Sequence, residues 1–108
     1  MRSRLLGALV VAALAFVVTR LSGPSDVDCG PVAGTIRAAS GDRDLARVSE
    51  AEARAAALVA VPAAAVVDVD LDEEDGFLVY EVELAQDRAE FDVVVDAGSG
   101  EVLCASRD

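Results

Sequence analysis

Hydrophobic and polar residues alternate with a period of two through the second half of the chain, a pattern typical of half-buried β-strands. Short turns rich in Asp and Gly separate three such segments. Their apolar positions are Val67, Val69 and Leu71; Leu78, Tyr80, Val82 and Leu84; and Phe91, Val93 and Val95. Turns this short join antiparallel neighbours, because parallel strands need a long crossover. The pattern therefore predicts an antiparallel meander, with a further short strand at 101–105.

One amphipathic helix is predicted just before the strands. Ser49 and Glu52 have the spacing of a capping box, in which each side chain bonds the other residue's backbone N–H. Four alanines then recur at helical spacing, at Ala53, Ala56, Ala57 and Ala60, and Pro62 ends the helix. A stripe of methyl groups lets a helix lie close to a sheet. Since the apolar face of the sheet needs a cover, we predict an α+β domain over residues 48–106, with one helix packed on a three- to four-stranded antiparallel meander.

The first 21 residues are predicted to be a targeting segment rather than part of this domain. Arg2 and Arg4 precede an unbroken apolar run over residues 5–18, which is the arrangement of a secretory signal peptide. The run would span about 21 Å as a helix, short for a bilayer core of about 30 Å. A good cleavage site is missing, however, so an uncleaved N-terminal membrane anchor is the alternative. Because positive charge keeps the N-terminus in the cytoplasm, the rest of the chain is expected outside it, secreted or anchored to the membrane.

Residues 22–47 are rich in Gly, Pro, Ser and Asp and are predicted to be a linker. Two alternatives stay open within it, a short helix beginning at Pro31 and a short strand. Cys29 lies in this segment and Cys104 in the last predicted strand, and cysteines outside the cytoplasm usually pair. We expect a disulfide within the chain, with intermolecular pairing and free thiols as the alternatives.

Composition excludes several classes of function. The chain has 20 Asp and Glu against 9 Lys and Arg, no histidine, and a net charge of −11. A polyanion of this density repels phosphate backbones, so no nucleic-acid partner is expected. The lack of histidine removes the commonest general base and the commonest metal ligand. Ser49 is used by the helix cap and Ser99 lies in a tight turn, so neither is expected to act as a nucleophile.

The densest acidic segment, residues 68–75, begins like an EF-hand loop. The spacing of its aspartates fits, but Glu73 stands where the loop needs glycine and Val79 where it needs a bidentate glutamate. The strand alternation explains the segment as a solvated face without a metal. Carboxylates on such a face have no cleft and no reason for a shifted pKa. We therefore expect no enzyme, no cofactor, and no catalytic or metal-binding residue.

From residue 48 onwards the chain resembles the PepSY domain. The motifs that carry the resemblance lie at 48–53, 57–58, 61–62, 66–71, 78–83 and 94–103. The most distinctive are the strand Tyr80-Glu81-Val82, and Asp96-Ala97 followed by a glycine turn and Glu-Val-Leu. Neither the cysteine pair nor the strong acidity belongs to the family pattern.

The resemblance implies a helix packed on an antiparallel sheet, which agrees with the residue pattern. PepSY domains occur in propeptides of thermolysin-like metallopeptidases and in secreted or membrane-anchored bacterial proteins, where their proposed role is to restrain peptidases. The implied function is an extracytoplasmic inhibitor or regulator of a secreted or envelope peptidase. No peptidase domain follows Asp108, so a peptidase partner is expected to be bound in trans. The alternative is an envelope interaction or sensing module without a peptidase partner.

Overall fold

The structure is a computed structural model that describes residues 29–38 and 42–108. The predicted targeting segment lies outside these residues. A 3₁₀ turn at Arg43–Leu45 leads into one α-helix, α1 (Glu50–Ala60). Four strands follow: β1 (Ala65–Glu74), β2 (Phe77–Gln86), β3 (Ala89–Asp96) and β4 (Val102–Arg107). Within this part of the chain, no helix combines the length and apolar character that crossing a bilayer requires.

The four strands form one antiparallel sheet in the order β1-β2-β3-β4. Both hairpins between the first three strands have two-residue turns, so each strand lies beside its neighbour in sequence. Asp75 and Gly76 make the first turn with φ values of 53° and 87°, as a hairpin turn with two left-handed residues requires. The predicted α+β fold, with one helix on an antiparallel meander, is confirmed.

Helix α1 begins and ends as the sequence predicts. Ser49 Oγ accepts a 3.1 Å hydrogen bond from Glu52 N, and Glu52 Oε1 accepts a 2.8 Å bond from Ser49 N. A 3.0 Å ion pair joins Glu50 to Arg54 one turn later. Val61 caps the C-terminal end immediately before Pro62. The reciprocal capping bonds satisfy N–H groups that a helix start would otherwise leave free.

The core lies between α1 and the inward face of the sheet. Ala53 and Ala57 are completely buried on the helix side. The buried strand residues opposite them are Leu78, Tyr80, Val82, Leu84, Phe91, Val93 and Val95. All seven lie at apolar positions of the period-two pattern, so the predicted covering of the sheet by the alanine stripe is confirmed.

The sequence pattern assigns one residue to the apolar face wrongly. Val67 was expected inside, but it is 61% exposed, and Val66 packs against the core instead. The register of β1 shifts between Val66 and Asp68, which places an extra residue in the strand. This β-bulge moves Val67 out and returns Val69 to the inward face.

The N-terminal strap, defined as residues 29–38, contains no helix and crosses one end of the sheet as an irregular segment with a bend at Thr35 and Ile36. Of the short helix and the short strand left open for this region, the strap forms neither in full: it makes a single antiparallel β-bridge, between Arg37 and Phe77. The Arg37 guanidinium also lies over the Phe77 ring, 4.6 Å from its centroid. The expected disulfide between Cys29 and Cys104 is present and joins the strap to β4.

Candidate functional site

The outward face of the sheet, turned away from α1, carries two cross-strand rows of acidic residues. In one row, Asp68, Glu83 and Asp92 lie directly opposite one another on β1, β2 and β3. In the next row, Asp70 lies opposite Glu81. Like charges at directly opposed positions repel each other. Within the described residues the one ion pair joins Glu50 to Arg54 on the helix, so no basic side chain neutralises these rows.

The strap turns part of this face into a groove of about 670 Å³. One wall is formed by strap residues 29–32, and the floor and other walls belong to the sheet and to the β1–β2 turn. The sheet and turn residues that line it are Glu74, Asp75, Glu81, Asp92, Val94, Cys104 and Ser106. Four of these seven side chains are acidic, so the groove offers hydrogen-bond acceptors and negative charge to whatever enters it.

Glu81 in this groove has a strongly shifted pKa. Its carboxyl shares a hydrogen bond with the carboxyl of Glu74, and this bond, partial burial and the charges of Glu74, Asp72 and Asp70 raise the pKa to about 7. Each of these causes favours the protonated form of an acid. Glu81 therefore holds a proton near neutral pH that an exposed glutamate would have lost.

Asp92 lies in the same groove, and its pKa is also raised. Burial raises its pKa to about 6, with further contributions from a hydrogen bond with Asp108 and from the charges of Asp108, Glu83 and Glu90. Burial and acidic neighbours together thus raise the pKa values of two carboxyl groups in one groove. A positive charge placed in the groove would reverse this effect and favour both ionised forms.

The expectation of an exposed acidic face without a cleft or shifted pKa values is wrong. The alternation correctly places Glu81 and Asp92 on the outward face, but it does not reveal which acids lie opposite each other. That information is in the cross-strand register. The strap that walls the groove is also too irregular to be read from periodicity.

Asp96, at the end of β3, is fully buried and holds the strap in place. Its carboxylate accepts hydrogen bonds from the backbone N–H and the hydroxyl of Thr35 in the strap, at 3.0 and 2.6 Å. It also accepts bonds from the N–H and the hydroxyl of Ser99 in the next turn, at 2.9 and 2.7 Å. Burial favours the protonated acid, but the four hydrogen bonds outweigh it and lower the pKa of Asp96. Sequence reasoning placed Asp96 before a turn but did not find its role in binding the strap.

The two serines considered above as nucleophiles both have structural partners. The Ser99 hydroxyl donates to Asp96, and the Ser49 hydroxyl accepts the helix-capping bond. Among the described residues, no group of three or more potential ligands is arranged to hold a metal ion.

The unpaired carboxylates of the outward face attract positive charge at long range and accept hydrogen bonds at contact. The side-chain chemistry of this face therefore suits binding to a basic partner.

Comparison with known proteins gives one match. The model of the PepSY family, described as peptidase propeptide and YPEB domain, matches residues 47–103, which is more than half of the chain. The matched segment includes α1, the first three strands and the start of β4, whereas the strap and Cys104 lie outside it. No curated protein and no solved structure matches the chain.

Proposed function

Because the chain belongs to the PepSY family, we propose that it is an extracytoplasmic module that regulates a secreted or envelope peptidase in trans through protein–protein binding. The family match across the helix and the sheet is the observation that carries this proposal. PepSY domains are often linked to peptidase propeptides and inhibitors. Such a module needs a stable binding surface rather than a reactive group.

The outward acidic face is the surface that we propose for the peptidase. Its two rows of carboxylates have no basic partners among the described residues, so they are available to a complementary basic surface. Attraction between opposite charges increases the association rate and discriminates against acidic proteins. Binding of this kind weakens as salt is added, since ions screen the exposed charges.

The disulfide supports the extracytoplasmic part of the proposal. Cys29 and Cys104 are joined in the structure, and such bonds persist in oxidising compartments and are rare in the cytoplasm. The same location suits the basic and apolar segment at residues 1–21, for which we propose a role as a signal peptide or membrane anchor.

Affinity capture followed by an activity assay tests the proposal. The full-length protein in mild detergent is used to capture partners from an envelope fraction at low and high salt, and the peptidase activity of the captured material is measured with and without added protein. We expect a peptidase that is released by salt and whose activity falls when the protein is added. Capture of envelope proteins without any peptidase would favour the alternative, an interaction or sensing module.

Matched charge variants show whether the outward face makes the contact. D68N/E83Q/D92N neutralises one acidic row, whereas E50Q/D87N/E101Q removes the same number of carboxylates elsewhere. We expect the row variant to bind the peptidase at least about tenfold more weakly, which corresponds to about 1.4 kcal/mol. The control variant should bind like the unchanged protein. Equal weakening by both variants would mean that total charge, rather than this face, determines binding.

A further inference from the structure

The strap is peripheral to the family domain that it contacts. It lies outside the matched residues 47–103, and only two of its ten residues, Val32 and Ala38, are buried. All the other buried core residues belong to α1, the strands and the segments directly joined to them. The helix and the sheet therefore contain most of the apolar core without the strap.

Polar contacts hold the strap on the sheet. Thr35 donates two hydrogen bonds to Asp96, and the Val32 N–H donates a 2.8 Å bond to Asp75 Oδ2. Backbone bonds of 2.9 and 3.0 Å join Leu78 N to Ile36 O and Ala38 N to Gly76 O. The backbone bonds exchange for bonds to water when the strap leaves, so their net contribution is modest, whereas the bonds to the buried Asp96 carboxylate contribute more because this acceptor is charged.

Close packing shows that the strap occupies a site of defined shape. A Cβ atom on Gly34 would lie 2.6 Å from Asp96 Oδ1, so only glycine allows the strap to approach the buried carboxylate. Val79, on the outward face between Asp72 and Asp96, is fully buried at this end of the sheet. Because Thr35 bonds Asp96, the β3 neighbour of Val79, the strap lies beside an apolar position that the strand pattern alone would leave in water.

The disulfide is the covalent link between this strap and the sheet, and it is accessible. Cys29 is exposed, and Cys104 is partly exposed where it lines the groove. Exchange between a thiolate and a disulfide requires access to a sulfur atom. Reductants can therefore reach this bond without prior opening of the core.

We propose that the Cys29–Cys104 disulfide is a redox-sensitive tether whose reduction releases residues 29–35 of the strap from the sheet, while Ala38, α1 and the four strands keep their packing in the core. A dithiol is the reductant: one of its thiolates attacks one protein sulfur, which breaks the protein S–S bond, releases the other cysteine as a thiolate and forms a mixed disulfide. The second thiol of the reductant, as a thiolate, then attacks the reductant's own sulfur in the mixed disulfide and releases the bound cysteine as a thiolate; both cysteine thiolates take up protons. The products are two protein thiols and one oxidised dithiol. Release opens the groove and exposes Val79. This inference goes beyond the proposed function and needs no peptidase.

Amide hydrogen exchange of the full-length protein in detergent, before and after treatment with dithiothreitol, tests the tether. Alkylation of both cysteines in the reduced sample confirms that the bond has opened. We expect the amides of Val32 and Thr35 to exchange at least about tenfold faster after reduction. The amides of Val82 and Val93, in the middle of the sheet, should keep their protection, and reoxidation should restore the strap.

Two outcomes would overturn the proposal. Unchanged exchange at Val32 and Thr35 would mean that the polar contacts hold the strap without the disulfide. Loss of protection at Val82 and Val93 would mean that the bond stabilises the whole domain. The variant C29S/C104S repeats the measurement without a reductant, and G34A in the oxidised protein is the control. We expect G34A to loosen the strap around Asp96 while the Val32 N–H, which is closer to the disulfide and bonds Asp75, stays protected.

Discussion

The hydroxyl of Tyr80, in the middle of β2, donates a 2.6 Å hydrogen bond to the backbone carbonyl of Val48, just before α1. The bond joins the sheet to the start of the helix across 32 residues of sequence. Burial and the nearby charges of Glu50 and Glu52 raise the pKa of Tyr80, which keeps the phenol protonated as a donor. The Arg47 and Val48 N–H groups also donate to the backbone carbonyl of Ala97, at 3.0 Å each, so directed polar contacts as well as packing fix the position of the helix on the sheet.

Removing this hydroxyl should destabilise the domain while leaving its core intact. In Y80F the ring remains but the partly buried carbonyl of Val48 loses its donor, which should cost about 1 to 2 kcal/mol. Urea-induced unfolding of the two proteins measures the difference, and the dependence on urea concentration should stay the same. An unchanged midpoint would mean that water replaces the tyrosine without loss.

The capping box should contribute measurably to stability. S49A removes the acceptor for the N–H of Glu52 and should cost about 1 kcal/mol of unfolding free energy. E52Q is the matched comparison, because its amide oxygen still accepts from the N–H of Ser49 and the variant should lose less. Thermal unfolding ranks the three proteins. A larger loss for E52Q than for S49A would contradict the assignment of the cap.

Small side chains on the buried side of α1 should be needed for its close contact with the sheet. Ala57 is fully buried, so A57L must push the helix away and should cost about 1 to 3 kcal/mol. Ala55 is exposed on the other side of the same helix, and A55L should change stability by less than about 0.5 kcal/mol. Denaturant unfolding compares the two variants. Similar effects at both positions would mean that α1 does not pack as described.

The pKa of Glu81 makes a pH-dependent prediction. It rises from 4.5 to about 7 on folding, so the folded protein binds this proton more tightly than the unfolded chain does. The stabilisation of the folded state by this bound proton is fully present below pH 4.5 and is lost as the pH rises through 7. We therefore expect E81Q to stabilise the protein by about 1 kcal/mol at pH 8, after allowance for solvent screening, and to give little gain at pH 5.

Melting temperatures at the two pH values test this prediction. E101Q is the control, because Glu101 is exposed in the turn before β4 and its replacement removes the same charge outside the groove. The gain from E81Q should grow between pH 5 and pH 8, whereas the effect of E101Q should stay nearly constant. An equal gain from E81Q at both values would mean that the shared proton with Glu74 does not exist.

The sequence predicted those features that depend on local pattern. The capping box at Ser49, the alanine stripe and the burial of Tyr80 each follow from spacing within one element. The bulge that exposes Val67 does not, because an inserted residue is visible only when the partner strand is known. The groove escaped prediction for a related reason, since it depends on cross-strand register and on a strap that folds back from a distant part of the chain.

A titration of peptidase activity tests most directly the proposed restraint of a peptidase by the outward acidic face. The activity of the captured peptidase is measured while the full-length protein or its row variant D68N/E83Q/D92N is added. We expect the unchanged protein to lower the activity until every peptidase molecule is bound, and the row variant to need at least about ten times more protein for the same effect. Full activity of the peptidase in the saturated complex, or equal potency of both proteins, would contradict the account.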